Sequence, residues 1–446
     1  MIAHETKYTR IGDSWIGYQV VGDGPIDLVY ITGLTSNIDT MWELPRYARM
    51  LERMASYSRL ILFDRRGSGV SDPIGLGDTP TWEHWADDLR AVLDAAGSER
   101  TALLAQNDGT IWGILFAAMH RDRTTALIIW NGWVRALADE QYPMGDSAEV
   151  NDAILSAMTQ IWGTPAVAPI ADSSIAEDGF AAWAAKHMRS SLTPGAAVRT
   201  MRYTGQIDIR EILPSVQVPT LVLHRRAPRV NPPIAWGRYV ADQIPGAHFV
   251  EVPGEDFSMY GEGHDAIQDE IEAFLGVVRP AADAERVLAT VLFTDVVGST
   301  ERAVALGDRR WKELLAEHDR IAGEQVARFR GRIVKMTGDG ILATFDGPGR
   351  AIRCAHELGR ALEPEGISIR TGLHTGEIEL REEGDVGGIA VHIAARVMHE
   401  AGAGEVVCSR TVKDLVAGSE FAFEDRGLCT LKGVPDEWQL YAVRQA

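Results

Sequence analysis

The first 278 residues alternate short apolar runs with amphipathic stretches. Short apolar runs of this kind are typical of strands that are buried on both faces of a parallel sheet. The stretches 82–96 and 110–119 have the spacing of amphipathic helices. Together they predict a doubly wound α/β domain. The predicted strands are 26–31, 60–63, 102–105, 127–130 and 220–223.

The alternation is interrupted between about residues 135 and 216. This stretch is rich in Ala, Met and Trp and has a helical pattern, and the strand pattern resumes at Pro219. It predicts a helical cap over the carboxyl edge of the sheet. Residues 279–286 are small and polar, which is typical of a linker. We therefore expect a first domain over 1–278 and a second over 287–446.

The second domain has a different order of elements. A strand over 287–294 is followed by a long helix through Arg330 and by a hairpin across 333–345. Helices over an antiparallel sheet predict an α+β domain of ferredoxin-like type. The remaining predicted elements are helices over 351–362 and 389–400 and strands over 368–374, 405–408 and 438–443.

Composition and charge narrow the class of protein. The chain has 446 residues, 46% of them hydrophobic and 24% charged, as expected for a soluble protein with two or three units. A net charge of −19 argues against a general nucleic-acid coat, which needs a basic face. No apolar run is long enough for a membrane span, and the polar start lacks a signal peptide. The three cysteines, Cys354, Cys408 and Cys429, are scattered, so we expect no zinc site or disulfide framework and a reducing, cytoplasmic setting.

The first segment with candidate functional groups is Phe293-Thr-Asp-Val-Val-Gly-Ser-Thr300. An apolar strand ends in Asp295, and a Gly-Ser-Thr turn opens a helix. A carboxylate in this position can hold Mg²⁺, and free N–H groups at a helix start can bind phosphate oxygens. Alternatively, Ser299 or Thr300 is simply an N-cap.

Two further segments carry polar groups. Asp339 lies at the tip of a strand–turn–strand pattern, although Asp-Gly is also a common hairpin turn. Lys335 ends an apolar strand, where a buried ammonium is costly without a partner. His392 and Arg396 are four residues apart in a helical pattern and share a face, which could also be a solvated face. Asp385 lies just ahead of that helix.

Together these segments resemble the class III adenylyl cyclases over residues 287–445, and Leu431-Lys-Gly-Val434 resembles the closing segment of that family. The resemblance implies conversion of ATP to cyclic AMP and pyrophosphate through attack by the ribose 3′-hydroxyl. It also implies a homodimer with shared sites, because the metal acids and the base-reading residues come from different chains. Asp295, Asp339 and the carbonyl of Val296 would hold two Mg²⁺ or Mn²⁺ ions.

The same resemblance assigns the substrate contacts. His392 stands where the family usually has an asparagine that orients the ribose, which leaves a catalytically weak nucleotide-binding homologue as an alternative. The implied contacts are Lys335 and Asp385 to the base, Lys432 to the polyphosphate, Arg396 to the α-phosphate, and the backbone N–H groups of Val297, Gly298, Ser299 and Thr300 to the β- and γ-phosphates.

The first domain resembles the α/β-hydrolases through Ile31-Thr-Gly33, the segment 63–72 and the strand–turn–helix near residue 107. That family has Gly-x-Ser-x-Gly at the turn. Here the turn is Ala105-Gln-Asn-Asp-Gly109, with Asn107 in the nucleophile's place. Pro228 and Phe257 stand where the acid and the histidine are expected.

The resemblance therefore implies a hydrolase scaffold without its Ser–His–Asp triad. Substitution by Asp256 or His264 stays open, whereas Asp108 and Ser258 fit no triad order, and an esterase is the less favoured alternative. We expect a pocket under the cap that binds an unknown small ligand or a partner and regulates the second domain. The tryptophans that could line it are Trp112, Trp130, Trp133, Trp162 and Trp183.

Overall fold

The computed structural model describes residues 4–75, 81–171, 179–227, 232–277, 286–380 and 385–445. The chain divides into two compact units, Met1–Asp283 and Ala284–Ala446. Each unit has its own hydrophobic core.

The first unit is built on a sheet that, in the described residues, has the strand order β1-β2-β4-β3-β5-β6-β7-β8. The pairs β1/β2 and β2/β4 are antiparallel, and the pairs from β4/β3 to β7/β8 are parallel. The strands are β1 (Lys7–Ile11), β2 (Ser14–Val21), β3 (Asp27–Ile31), β4 (Arg59–Phe63), β5 (Thr101–Gln106), β6 (Thr124–Trp130), β7 (Thr220–Arg225) and β8 (His248–Val252).

Helices cover this sheet, and α4 to α7 form the cap between β6 and β7. The helix α7 begins at Pro194, after Thr193, whose side chain accepts a hydrogen bond from the N–H of Ala196. The α-helices are α1 (Pro45–Tyr57), α2 (Trp82–Ala95), α3 (Gly109–Met119), α4 (Ala148–Ile161), α5 (Ala168–Ala171), α6 (Phe180–Ser191), α7 (Pro194–Gln206), α8 (Ile234–Gln243) and α9 (His264–Val277), and short 3₁₀ helices span Thr40–Glu43, Arg121–Arg123, Pro165–Val167 and Arg210–Ser215.

The centre of this core is the pair β5 and α3. Every residue of α3 is buried, which is the pattern of a helix packed on all sides. Because β5 leads straight into α3 through Asn107 and Asp108, the turn between them is held rigidly at the carboxyl edge of the sheet. The predicted doubly wound sheet with a helical cap is thus confirmed.

The second unit has an antiparallel sheet with the order β10-β11-β9-β12-β14-β16-β15 in the described residues. The pair β12/β14 is parallel, and β13 pairs with β12. The strands are β9 (Arg286–Val296), β10 (Arg332–Met336), β11 (Ile341–Phe345), β12 (Ile369–Leu380), β13 (Val386–Gly387), β14 (Val406–Ser409), β15 (Phe421–Thr430) and β16 (Glu437–Gln445).

The helices of the second unit lie on both faces of this sheet, which confirms the predicted α+β class. One prediction was wrong: the long helix through Arg330 is two helices, because Gly307 has a φ of 75° and interrupts the chain between them. The helices are α10 (Ser299–Leu306), α11 (Asp308–Arg328), α12 (Pro348–Leu362), α13 (Ile389–His399) and α14 (Arg410–Leu415), with a 3₁₀ turn over Glu363–Glu365.

The two faces of this sheet differ in how fully they are covered. One face packs against α11 and α12 through buried residues such as Leu292 and Leu358. The other packs against α13 through Ala390 and Ala394 and leaves Phe293 only partly buried. Among the described residues, no helix has the length and apolar character needed to cross a membrane.

Candidate functional site

The tip of the β10–β11 hairpin lies against the end of β9. The N–H of Val296 donates to the carbonyl of Asp339 at 2.9 Å. The N–H of Ile341 donates to Thr294 Oγ1 at 3.1 Å. These bonds bring the segments that carry Asp295 and Asp339 together, although the two residues are far apart in sequence.

Arg370 is a residue of this site that the sequence analysis missed. Its Nε and Nη2 donate to Asp295 Oδ2 at 2.9 and 2.5 Å. The two residues are direct cross-strand partners on β12 and β9. Only the strand register reveals this pair, so no local sequence signal could have found it. The guanidinium offsets the charge of Asp295 and engages one of its two oxygens.

Asp295 and Asp339 offer the carboxylate oxygens that a divalent ion prefers. The described residues contain no cluster of three or more His, Cys, Asp or Glu side chains that could hold a metal ion. Mg²⁺ is commonly bound by one or two carboxylates together with substrate phosphates and water. Asp295 and Asp339 supply two carboxylates of that kind.

The turn after β9 differs in detail from the prediction. Gly298, with φ of 69°, is the N-cap of α10, so Ser299 is the first helical residue and neither Ser299 nor Thr300 is the cap. The N–H of Val297 donates to the carbonyl of Ser368 at 2.9 Å. Val297 was therefore a wrong choice as an N–H donor to phosphate. The first N–H groups of α10 have no intrahelical partner and favour an anion.

The predicted base- and ribose-contacting residues lie on other elements. Asp385 precedes β13, and its Oδ1 accepts the N–H of Val386 at 2.9 Å. On α13, His392 is exposed and Arg396 is half-buried, and Lys432 is exposed between β15 and β16. In the described part of the chain, no ion pair or side-chain hydrogen bond is seen between these residues and the Asp295–Asp339 pair.

Lys335 differs from the expectation of a buried ammonium, because it is exposed on the edge strand β10. It is the cross-strand partner of Leu342, which in turn pairs with Phe293. Cross-strand partners share a face of the sheet, and Asp295 is two residues beyond Phe293 on β9. Lys335 and Asp295 therefore project from the same, incompletely covered face.

The first unit encloses a cavity of about 530 Å³ between the carboxyl edge of its sheet and the cap. Trp133, Trp162 and Trp183 line it, as predicted. The other two predicted tryptophans do not. Trp112 packs against Trp85 with ring centroids 4.1 Å apart, and Trp130 lies beneath a buried arginine.

The turn between β5 and α3 has the sharp backbone of a nucleophile elbow. Asn107 has a φ of 53° and is buried at the cavity floor. In enzymes with this elbow, the oxyanion hole uses the N–H after the nucleophile and an N–H from the loop after β3. Here Asp108 Oδ1 accepts the N–H of Leu34, in that loop, at 2.7 Å. The carboxylate of Asp108 therefore fills the place of an oxyanion.

The loop expected to carry the triad histidine is held by Arg225, which sequence reasoning missed. This guanidinium is fully buried and donates to the carbonyls of Pro253, Asp256 and Glu262 at 2.5, 3.1 and 2.6 Å. It also lies 5.1 Å from the ring centroid of Trp130. A buried cation therefore holds this loop through its carbonyls.

The remaining polar candidates do not restore a triad. Asp256 Oδ2 accepts the N–H of Glu262 at 3.3 Å, and His264 begins α9. Neither of them is among the described residues that line the cavity, whereas Phe257 and Ser258 are. Pro228 lies outside the described residues.

Comparisons with known proteins separate the two units. Residues 283–445 match the family model of the adenylate and guanylate cyclase catalytic domain. The chain is 30% identical over 165 residues to the serine/threonine-protein kinase pkn2 of Myxococcus xanthus, covering 35% of this chain and 20% of that protein. It is 32% identical over 165 residues to putative adenylate cyclase 3 of Rhizobium meliloti, covering 33% and 27%. The chain thus spans little more than a quarter of these relatives at most.

The first unit is similar to solved α/β-hydrolases. An esterase from Exiguobacterium antarcticum matches with a TM-score of 0.53 and 18% identity. The match covers 62% of this chain and 100% of the esterase chain. A likeness at this identity establishes the fold alone.

Proposed function

We propose that residues 283–445, which match the model of the adenylate and guanylate cyclase catalytic domain, are a class III cyclase domain that converts ATP to 3′,5′-cyclic AMP and pyrophosphate. The observation that carries the proposal is the hydrogen bond from Val296 N–H to the Asp339 carbonyl, which sets two aspartates beside the start of α10. Carboxylates and free helix N–H groups are the partners that a metal–triphosphate needs.

The chemistry follows from charge and position. Divalent ions held by Asp295 and Asp339 supply charge neutralisation and a lowered pKa of the ribose 3′-hydroxyl. The N–H groups of Ser299 and Thr300 hold the β- and γ-phosphates. Arg370, beside Asp295, adds positive charge at the same end of the sheet. Positioning and fixed charge then carry most of the rate acceleration, as in phosphoryl transfer generally.

Lys335 and Asp385 supply the preference for ATP over GTP. Adenine offers an acceptor at N1 and a donor at N6, which match a lysine donor and a carboxylate acceptor. Guanine presents the reverse pattern, so both contacts would be mismatched. Parallel assays with ATP and GTP measure this preference directly.

Two copies of the chain are needed for one complete site in this proposal. Lys335 and Asp295 share a sheet face on which Phe293 and Val334 are only partly buried, and Ile389 of α13, which packs on this face, is 55% exposed. A second copy that covers this face would bury these apolar side chains. It would also bring Arg396 and His392 of one chain to the aspartates of the other in a symmetric homodimer.

The test is formation of cyclic AMP by the purified full chain with ATP and Mg²⁺ or Mn²⁺. Asp295→Ala or Asp339→Ala should abolish it. An equal mixture of Asp295→Ala and Arg396→Ala chains should recover about a quarter of the activity, since half of the dimers then contain one intact site of two. The matched control is a mixture of Asp295→Ala and Asp339→Ala, which should stay inactive. ATP binding without any cyclic product would instead favour the silent homologue.

We propose a non-catalytic, sensory role for the first unit. Asn107 stands in the nucleophile's place, Asp108 fills the oxyanion position, and Arg225 holds the loop in which the histidine is expected. An esterase would instead need a nucleophile at position 107, an open oxyanion hole and a histidine in that loop. Turnover of a p-nitrophenyl ester that is lost in Asn107→Ala would overturn this part of the proposal.

A further inference from the structure

We propose that the cavity of the first unit binds, without altering it, an uncharged and mostly apolar small molecule that is anchored by one hydrogen bond to Asn107. Such a molecule would be the signal that the first unit senses, and only this regulatory effect rests on the sensory role proposed above. Binding itself is independent of cyclase activity.

The walls of the cavity present ring faces rather than polar edges. Trp162 Nε1 donates to the Leu192 carbonyl and Trp183 Nε1 to the Thr40 carbonyl, each at 2.9 Å. Trp236 Nε1 donates to the Met144 carbonyl at 2.8 Å. Because these N–H groups are engaged within the protein, the three tryptophans offer apolar surface to a ligand. Leu155, Met158 and Met188 extend that surface.

The charges around the cavity exclude an anion. Its described lining contains no Lys or Arg, whereas it contains the carboxylates of Asp108 and Asp146. His187 is neutral, since burial lowers its pKa to about 4, and its Nδ1 is 2.7 Å from Thr40 Oγ1. A ligand carboxylate or phosphate would enter without a countercharge, at a large desolvation cost.

A cationic ligand is also disfavoured. Burial raises the pKa of Asp108, and the positive charge of Arg65 opposes this shift. Arg65 is itself buried and donates to the carbonyl of Gly33 at 2.8 Å. The acid at the cavity floor already has the charge of Arg65 nearby and the Leu34 N–H on its Oδ1, while its Oδ2 has no hydrogen-bond partner in the described residues and can take a neutral donor rather than a second cation.

The polar anchor is the side-chain amide of Asn107. This residue is 6% exposed and lines the floor of the cavity, and its Oδ1 has no hydrogen-bond partner within the described chain. A buried acceptor left unpaired is destabilising. A ligand N–H or O–H would satisfy it, so an amide or alcohol fits better than an ester of the same size.

The test compares four probes with the same chain length: octanamide, methyl octanoate, octanoate and octylamine. Binding to the full-length protein is followed by quenching of tryptophan fluorescence. We expect octanamide to bind about tenfold more tightly than each of the other three, the factor expected for about one hydrogen bond. Methyl octanoate incubated with the protein should release no octanoate.

Asn107→Gly tests the anchor, because glycine keeps the left-handed backbone while removing the amide. It should abolish the preference for octanamide over methyl octanoate. Trp15→Phe is the matched control, since Trp15 is 48% exposed on β2 and does not line the cavity.

Three results would overturn the proposal: tighter binding of octanoate or octylamine, no saturable binding of octanamide, or a preference unchanged in Asn107→Gly. A protein that prefers octanamide but forms no cyclic nucleotide would refute the proposed cyclase activity alone.

Discussion

Gly372 controls how closely α13 can approach the sheet of the second unit. A Cβ added there would lie 2.1 Å from the N of Met398, 2.4 Å from its Cα and 2.7 Å from the carbonyl oxygen of Ala394. All three atoms belong to the backbone of α13, so no side-chain rotation can relieve the overlap. The helix that carries Arg396 must therefore move in Gly372→Ala.

The size of the effect follows from these distances. Raising the shortest contact from 2.1 Å to 3.0 Å, below which real Cβ contacts are essentially never found, takes a shift of about 0.9 Å. A misplacement of about 1 Å in a catalytic group can cost about 100-fold in rate. Overpacking of this kind also costs about 1–3 kcal/mol of folding free energy.

The assay is kcat for cyclic AMP formation, combined with denaturant unfolding. Gly323→Ala in α11 is the matched control, because nothing lies within 4 Å of its added Cβ, and it should leave kcat unchanged. We expect Gly372→Ala to lose about 100-fold in kcat while remaining folded. A folded Gly372→Ala protein with kcat within threefold of the Gly323→Ala control would refute the packing argument.

Two further predictions concern stability. Burial lowers the pKa of His374 from 6.5 to about 3. Because the unfolded chain then takes up a proton that the folded chain does not, the free energy of unfolding is highest above pH 6.5 and falls as the pH is lowered. Between pH 7 and pH 5 the free energy of unfolding should fall by about 2 kcal/mol. His374→Gln, which can still bond to Ser409, should flatten the pH dependence of unfolding by that amount, and parallel curves for both proteins would contradict it. Arg225→Met should cost about 3 kcal/mol or more, because the buried carbonyl of Asp256 and the partly buried carbonyls of Pro253 and Glu262 lose their donor. Arg226→Met, at a side chain that is 65% exposed, should cost less than about 0.5 kcal/mol, and equal losses in denaturant unfolding would argue against the buried role of Arg225.

The buried elements were the predictable part of the fold. The strands β3 to β7 are apolar runs, and the helices α2 and α3 begin and end within a residue of their predicted limits. The strand β15 was missed because most of its residues are exposed, so it has neither an apolar run nor a clean alternation. The break at Gly307 had a readable signal, a glycine followed by an aspartate that can start a new helix.

The candidate site residues also divide into those that the local sequence indicates and those that depend on contacts between distant segments. Asp295 and Asp339 could be found because each ends or interrupts an apolar strand. Arg370 could not, because its role depends on its register opposite Asp295. Arg225 follows a buried strand run, where a charged residue is normally taken to be outside the core. Its burial depends on carbonyls from a loop distant in sequence, which only the tertiary structure brings together.

The Leu34–Asp108 contact constrains how this scaffold can change by mutation. Placing a serine at position 107 would create a hydroxyl beside a carboxylate that already takes the Leu34 N–H, so the position where negative charge would develop is already filled. A serine at position 107 would therefore need a second change, at Asp108, before it could act as a nucleophile.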